Sequence, residues 1–196
     1  QMNTKFRILA FAIVVPFLFL SQSCEKIKDE INKIAAFDVN IELPAEVVTI
    51  DSLDYKSSDG VLDWTILKQY MIDVDLQQIL DDNDIESADF TNGRWDSYEA
   101  TLIYPDNVDF SSFTDKFKVT AAINQNFSDE IEVAYTQTIN PGTKTVTFLV
   151  NDVDITSYIK AELFYLRIWG FKTNTLPAEI VNIEFKGEVQ VKVNPL

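Results

Sequence analysis

From Phe37 onward, apolar and polar residues alternate with a period of two. Phe37, Val39, Ile41 and Leu43 are separated by Asp38, Asn40 and Glu42. The pattern returns in Tyr98, Ala100, Leu102 and Tyr104, and again in Phe117, Val119, Ala121 and Ile123. Shorter versions are Ile131, Val133 and Tyr135, then Val146, Phe148 and Val150. The clearest run is the last, where Ile183, Phe185, Val189, Val191 and Val193 alternate with Glu184, Lys186, Glu188, Gln190 and Lys192. Successive side chains of a strand point to opposite faces, so each run predicts a strand with one face in a core and one in water. The stretch LFYLRIWGF, residues 163–171, is apolar on both faces and predicts a central or covered strand, with Gly170 at a bend or bulge.

Helical signals are few. Asp75 with Gln78 forms a capping box for a helix over residues 76–82. Residues 110–115 and 156–160 read as single turns. Turn chemistry recurs at Pro44, Asp59-Gly60, Asn92-Gly93, Pro105-Asp106, Asn140-Pro141-Gly142 and Thr173-Asn174. About eight short strands with regular turns and no βαβ rhythm predict an all-β fold. The expected form is an antiparallel β-sandwich, Ig-like or jelly-roll-like, with one or two short helices.

The N-terminus follows different rules. Lys5 and Arg7 precede an uninterrupted apolar stretch over residues 8–20, which is too short for an ordinary spanning helix and contains Pro16. Ser21, Gln22 and Ser23 follow, and then Cys24, the sole cysteine. This is the order of a secretion signal and its cleavage region. It resembles a bacterial lipoprotein signal, with Ser21 and Gln22 as a permissive form of the lipobox. The resemblance implies that Cys24 becomes the mature N-terminus, thioether-linked to diacylglycerol. Residues 25–36, EKIKDEINKIAA, carry Ile27, Ile31 and Ile34 at helical spacing among charges, and read as a spacer. Lys28-Asp29-Glu30 is similar to the charged export signal of surface lipoproteins of the Bacteroidota, although it sits later than usual. The expected organisation is a signal peptide over 1–23, a charged tether over 24–36 and one β-sandwich domain over 37–196.

Charge narrows the partners. The chain has 16 Lys+Arg against 31 Asp+Glu, a net charge of −15. Lys5 and Arg7 lie within the first 23 residues, leaving 16 − 2 = 14 basic against 31 acidic residues, or −17, in the rest. Such a field repels nucleic acid and anionic lipid, so attachment to a membrane has to be covalent or hydrophobic. There is no histidine, which removes the commonest general base and metal ligand. A single cysteine allows neither an intrachain disulfide nor a cysteine-based zinc site.

The candidate site residues are correspondingly sparse. Trp64, Trp95 and Trp169 could contribute to a sugar-stacking platform. Trp169 lies in the doubly apolar run and is expected in the core. Trp95, beside the expected turn at Asn92-Gly93-Arg94, is the best candidate for an exposed aromatic, with Tyr98 as its companion in ligand contact, although packing in the core or at its rim is the favoured reading of Trp95. Calcium is the one cofactor left open, with Asp152 and Asp154, or Asp106 and Asp109, as ligands from sandwich loops. Turn and cap roles are the favoured reading of these aspartates. Residues 81–86, DDNDIE, do not form a helix-loop-helix calcium site, because Ser87 and Gly93 stand where glycine and glutamate are required. Asp51-Ser52-Leu53 is similar to an O-glycosylation acceptor of the Bacteroidota. With 31 acids, no spacing singles out a catalytic pair, so no catalytic residue is named and the chain is not expected to be an enzyme.

The segments DVDITSYIK (152–160), ELFYLRIWG (162–170) and EIVNIEFKGEVQVKV (179–193) resemble the end of a loosely defined group of Bacteroidota outer-membrane lipoproteins. DLQQILDDNDIESADF (75–90) is similar to the group's earlier helix-then-strand unit. The resemblance implies an Ig-like or LEA-like β-sandwich and supplies no functional residues. The expected function is a non-enzymatic lipoprotein at the outer membrane, on its cell-surface or periplasmic face. It would act as an interaction or structural module of the cell envelope, for instance as one subunit of an outer-membrane complex. The alternative is a glycan- or ligand-binding module that feeds an uptake system.

Overall fold

In the computed structural model, residues 36–52, 63–172 and 176–196 are described. Cys24, the signal, nearly all of the tether and the turns expected at Asp59-Gly60 and Thr173-Asn174 lie outside them. The described residues form ten strands. These are β1 (Phe37–Glu42), β2 (Glu46–Asp51), β3 (Trp64–Asp73), β4 (Ala88–Tyr104), β5 (Thr114–Ala122), β6 (Ile131–Tyr135), β7 (Thr145–Thr147), β8 (Leu149–Val150), β9 (Leu163–Lys172) and β10 (Ile180–Pro195). All pairings are antiparallel, and two five-stranded sheets pack face to face as a β-sandwich. Sheet A runs β1-β10-β4-β7, with β2 also on β10, and sheet B runs β3-β9-β5-β6-β8.

β10 spans sixteen residues and accommodates β1 and β2 end to end along one side and β4 along the other. Its apolar face is fully inside: Val181, Ile183, Phe185, Val189, Val191 and Val193 are all buried. The doubly apolar run is central as expected, since β9 lies between β3 and β5. A Cβ at Gly170 would meet the Leu67 side chain at 3.0 Å. Leu67 is the extra residue of a bulge in β3, so the missing side chain at Gly170 makes room for it.

Helix α1 (Leu76–Asp82) starts at Asp75, whose carboxylate accepts from the Gln78 backbone N–H at 2.9 Å. A 3-10 turn (Phe110–Ser112) and α2 (Thr156–Lys160) occupy the two other expected turn positions.

Three expectations change where the period of two is broken. Asn92-Gly93 is not a turn. It lies inside the 17-residue β4, where Asn92 has φ of 53° and the pairing with β10 slips between Gln190 and Lys192. The dipeptide supplies the backbone of a bulge. Gly93 also docks α2, because its N–H donates to Thr156 Oγ1 at 2.8 Å and its carbonyl accepts from the Ile155 N–H at 2.8 Å.

Next, Ile131, Val133 and Tyr135 do not share a face. Val119 pairs with Ala134 and Thr120 with Glu132, so Val133 is an extra residue. Val133 and Ala134 both turn into the core and Tyr135 emerges outside. Finally, the chain changes sheets at Phe148: β7 belongs to sheet A and β8 to sheet B. Phe148 is buried at the crossing, and Val150 is left exposed.

Candidate functional site on the outer face of sheet B

The two solvent-facing sheet surfaces differ. On sheet A, the strand registers align Asp38 with Lys192, Asn40 with Gln190 and Arg94, and Lys186 with Glu99. That is a mixed, charged lattice, with Val47, Tyr104 and Ile180 exposed beside Glu184, Asn182 and Asp51 toward one end of the sheet. On sheet B, register aligns Trp64 with Phe171 and Lys116, and then Ile66 with Trp169, Lys118 and Tyr135. The next rows are Gln69, Arg167, Thr120 and Glu132, and then Met71, Tyr165 and Ala122. Met71 is 55% exposed, Ile66 46% and Tyr135 37%.

Four strands that meet only through sheet pairing build this surface, and cations lie between its rings. Lys118 Nζ lies 4.8 Å from the Trp64 ring centroid and 5.0 Å from that of Trp169. Trp64 meets Phe171 edge-on at 5.4 Å. Trp169 Nε1 donates to Thr120 Oγ1 at 3.0 Å, and the Thr120 hydroxyl donates to Glu130. Glu130 also pairs with Arg167 at 3.4 Å, while Arg167 Nε donates to Gln69 at 3.1 Å.

The β5–β6 loop covers one end of the face. Asp129 accepts from the Ile123 and Asn124 N–H groups at 2.9 and 3.1 Å, curling the loop over. The loop thereby seats the Phe127 ring 3.5 Å from the Arg167 guanidinium carbon. The other end is open. There, the chain after β6 runs beside the start of β5, with Thr136 N–H donating to Phe117 and Ile139 N–H donating to Asp115. A groove of about 660 Å³ lies above, flanked by Trp64 and Tyr135.

The residues expected to make ligand contacts lie elsewhere. Trp95 and Tyr98 are 2% and 1% exposed. The reason is the Asn92-Gly93 bulge: with no turn there, Trp95 continues β4 and faces inward. Its ring meets Tyr98 edge-on at 5.9 Å, and its Nε1 has no hydrogen-bond partner. Tyr98 packs between Phe148 and Phe185, and its hydroxyl hydrogen-bonds the Tyr70 hydroxyl at 2.9 Å. Burial pushes the Tyr70 phenol up to about 12 and that of Tyr98 well above its ordinary value. Trp169, expected in the core, is half-buried on the outer face of sheet B. Strand β9 is covered on that side by neighbouring side chains rather than by another layer.

Asp152 and Asp154 share a polar pocket of about 390 Å³ with Asp38, Arg94 and Lys192. Asp154 accepts from the Thr156 N–H at 2.8 Å, and Thr156 holds its carboxyl below the usual carboxylate range. Asp109 caps the 3-10 turn, accepting from Ser111 Oγ at 2.7 Å and from the Gly142 N–H at 2.8 Å. The Ser111 hydrogen bond and the Gly142 N–H hold its carboxyl low. No group of three or more acidic or cysteine side chains placed to hold a metal ion occurs among the described residues.

The chain matches no known protein-family model, and no curated protein matches it.

Proposed function

We propose that this chain is a non-enzymatic binding module of the bacterial outer membrane, anchored by a lipid on Cys24. Its binding surface is the outer face of sheet B. The single observation that carries the binding assignment is the contrast between the two sheet faces. A solvated face has no physical reason to align Trp64, Phe171, Trp169, Tyr135, Ile66 and Met71, whereas the exposed apolar side chains of sheet A are set beside polar partners, Val47 beside Glu184, Ile180 beside Asp51 and Tyr104 beside Asn182. The anchoring part rests on the sequence: a basic start, an apolar stretch of 13 residues (8–20) and a lone cysteine in lipobox position. A lipid anchor also suits the charge, because acyl chains gain about 0.8 kcal/mol per buried methylene without needing a basic surface.

Cys24→Ala tests the anchor. Wild-type protein should take up a labelled fatty acid and fractionate with the outer membrane, and the variant should do neither. Membrane fractionation that survives the substitution overturns the lipoprotein reading. Of the two partner classes, an envelope protein and a glycan, the second is favoured by the groove between Trp64 and Tyr135.

A further inference from the structure

We propose that the open groove on the outer face of sheet B binds an acidic oligosaccharide, with Lys116 and Lys118 meeting its carboxylates and Tyr135 stacking against a sugar ring. This rests on the reading of that face as the binding surface.

Two lysines of the groove carry charge that no carboxylate among the described residues neutralises. Lys116 and Lys118 stand two residues apart on one face of β5, so their Cα atoms are about 7 Å apart. Among the described residues, neither has a carboxylate within ion-pair distance. In a chain of net charge −15, acids are plentiful, and the same face shows how a cation is neutralised: Arg167 has Glu130. Glu132, which also lines the groove, is turned toward β8 by Asn151, whose Nδ2 donates to its carboxylate at 3.3 Å. The two lysines therefore present a local positive focus on an acidic molecule. An anion attracted there meets attraction nearby and repulsion elsewhere, which fixes its position.

The rest of the lining adds rings and amides. Around the lysines stand two rings, Trp64 and Tyr135, and two exposed side-chain amides, Gln137 and Asn140. Rings offer flat apolar surface for the C–H faces of a pyranose, and amides offer a donor and an acceptor for hydroxyls. Rings, amides and cations together match a uronate-bearing sugar. The volume, about 660 Å³, falls within the roughly 300–1,000 Å³ typical of small-ligand sites. Lys118 is further positioned by the rings of Trp64 and Trp169, which limit its rotamers and reduce the ordering cost on binding.

The test uses the full-length protein in detergent micelles. Trimers of galacturonate, mannuronate and glucuronate are titrated calorimetrically, alongside the methyl ester of each and triglutamate. At least one uronate trimer should bind, with its methyl ester and triglutamate each tenfold weaker or more. Lys116→Gln with Lys118→Gln should weaken binding at least tenfold, and Tyr135→Ala several-fold, at unchanged melting temperature. Lys118→Arg should retain most of the affinity. No binding by any uronate, or triglutamate binding as well as the sugars and indifferent to Tyr135→Ala, overturns the proposal. Cross-linking from this face in the native envelope reads the underlying assignment separately: if it persists while all uronates fail, the face stands and the sugar falls.

Discussion

At the residue scale, the buried tyrosine pair ties the two sheets together and makes stability depend on pH. Tyr70 reaches from β3 across to Tyr98 on β4, and the hydroxyl pair is largely shielded from water, with Tyr98 buried and Tyr70 partly so. Lys68 and Glu46 close the adjacent edge with a 3.1 Å ion pair. Burial raises the Tyr70 phenol from 10.0 to about 12, so the folded state holds that proton more tightly than the unfolded state. Stabilisation is then complete below pH 10 and is lost as pH rises toward 12. Tyr70 alone should account for about 2 kcal/mol of that loss at pH 12. Urea titrations at pH 8, 10 and 12 should show the midpoint holding to pH 10 and falling beyond it. In Tyr70→Phe the Tyr70 contribution to the alkaline slope should disappear, and an unaltered slope would contradict the assignment.

At the element scale, the bulges decide what can be read from the chain. β10 was legible because nothing interrupts its alternation on the core side, where Gly187 stands beneath the Tyr98 ring. The cap of α1 was legible because Asp75 and Gln78 act locally. Asn92-Gly93 and Val133 were not, because a bulge looks like a turn, or like nothing, until the partner strand is known. The first misplaced Trp95 and the second misplaced Tyr135, and between them they hid the site. Nor does any local signal join Lys118 to Trp64 or Trp169, which meet only through strand pairing.

Gly93 offers a direct check on the first bulge. A Cβ there would sit 2.8 Å from the Thr156 backbone N and 2.9 Å from Ile159 Cδ1. Gly93→Ala should cost about 1–3 kcal/mol by pushing α2 off β4. Thermal unfolding should begin several degrees lower, and a melting temperature equal to wild type would contradict the close approach.

At the scale of the whole molecule, the two sheet faces are unequal. One sheet carries mostly charges, with a few apolar side chains such as Val47, Tyr104 and Ile180 among them, and the other aligns tryptophans, aliphatic side chains and cations. The loop bearing Phe127 closes one end of that second face and leaves a groove at the other. If Cys24 is lipidated as proposed, a domain so arranged would be held at the membrane. The most direct measurement places a photoreactive phenylalanine in the native envelope at Tyr135 or Met71 on sheet B, and at Lys186 or Gln190 on sheet A. Adducts should form from Tyr135 and Met71 and not from Lys186 or Gln190. Adducts confined to the sheet A positions, or formed equally from both faces, would contradict the account.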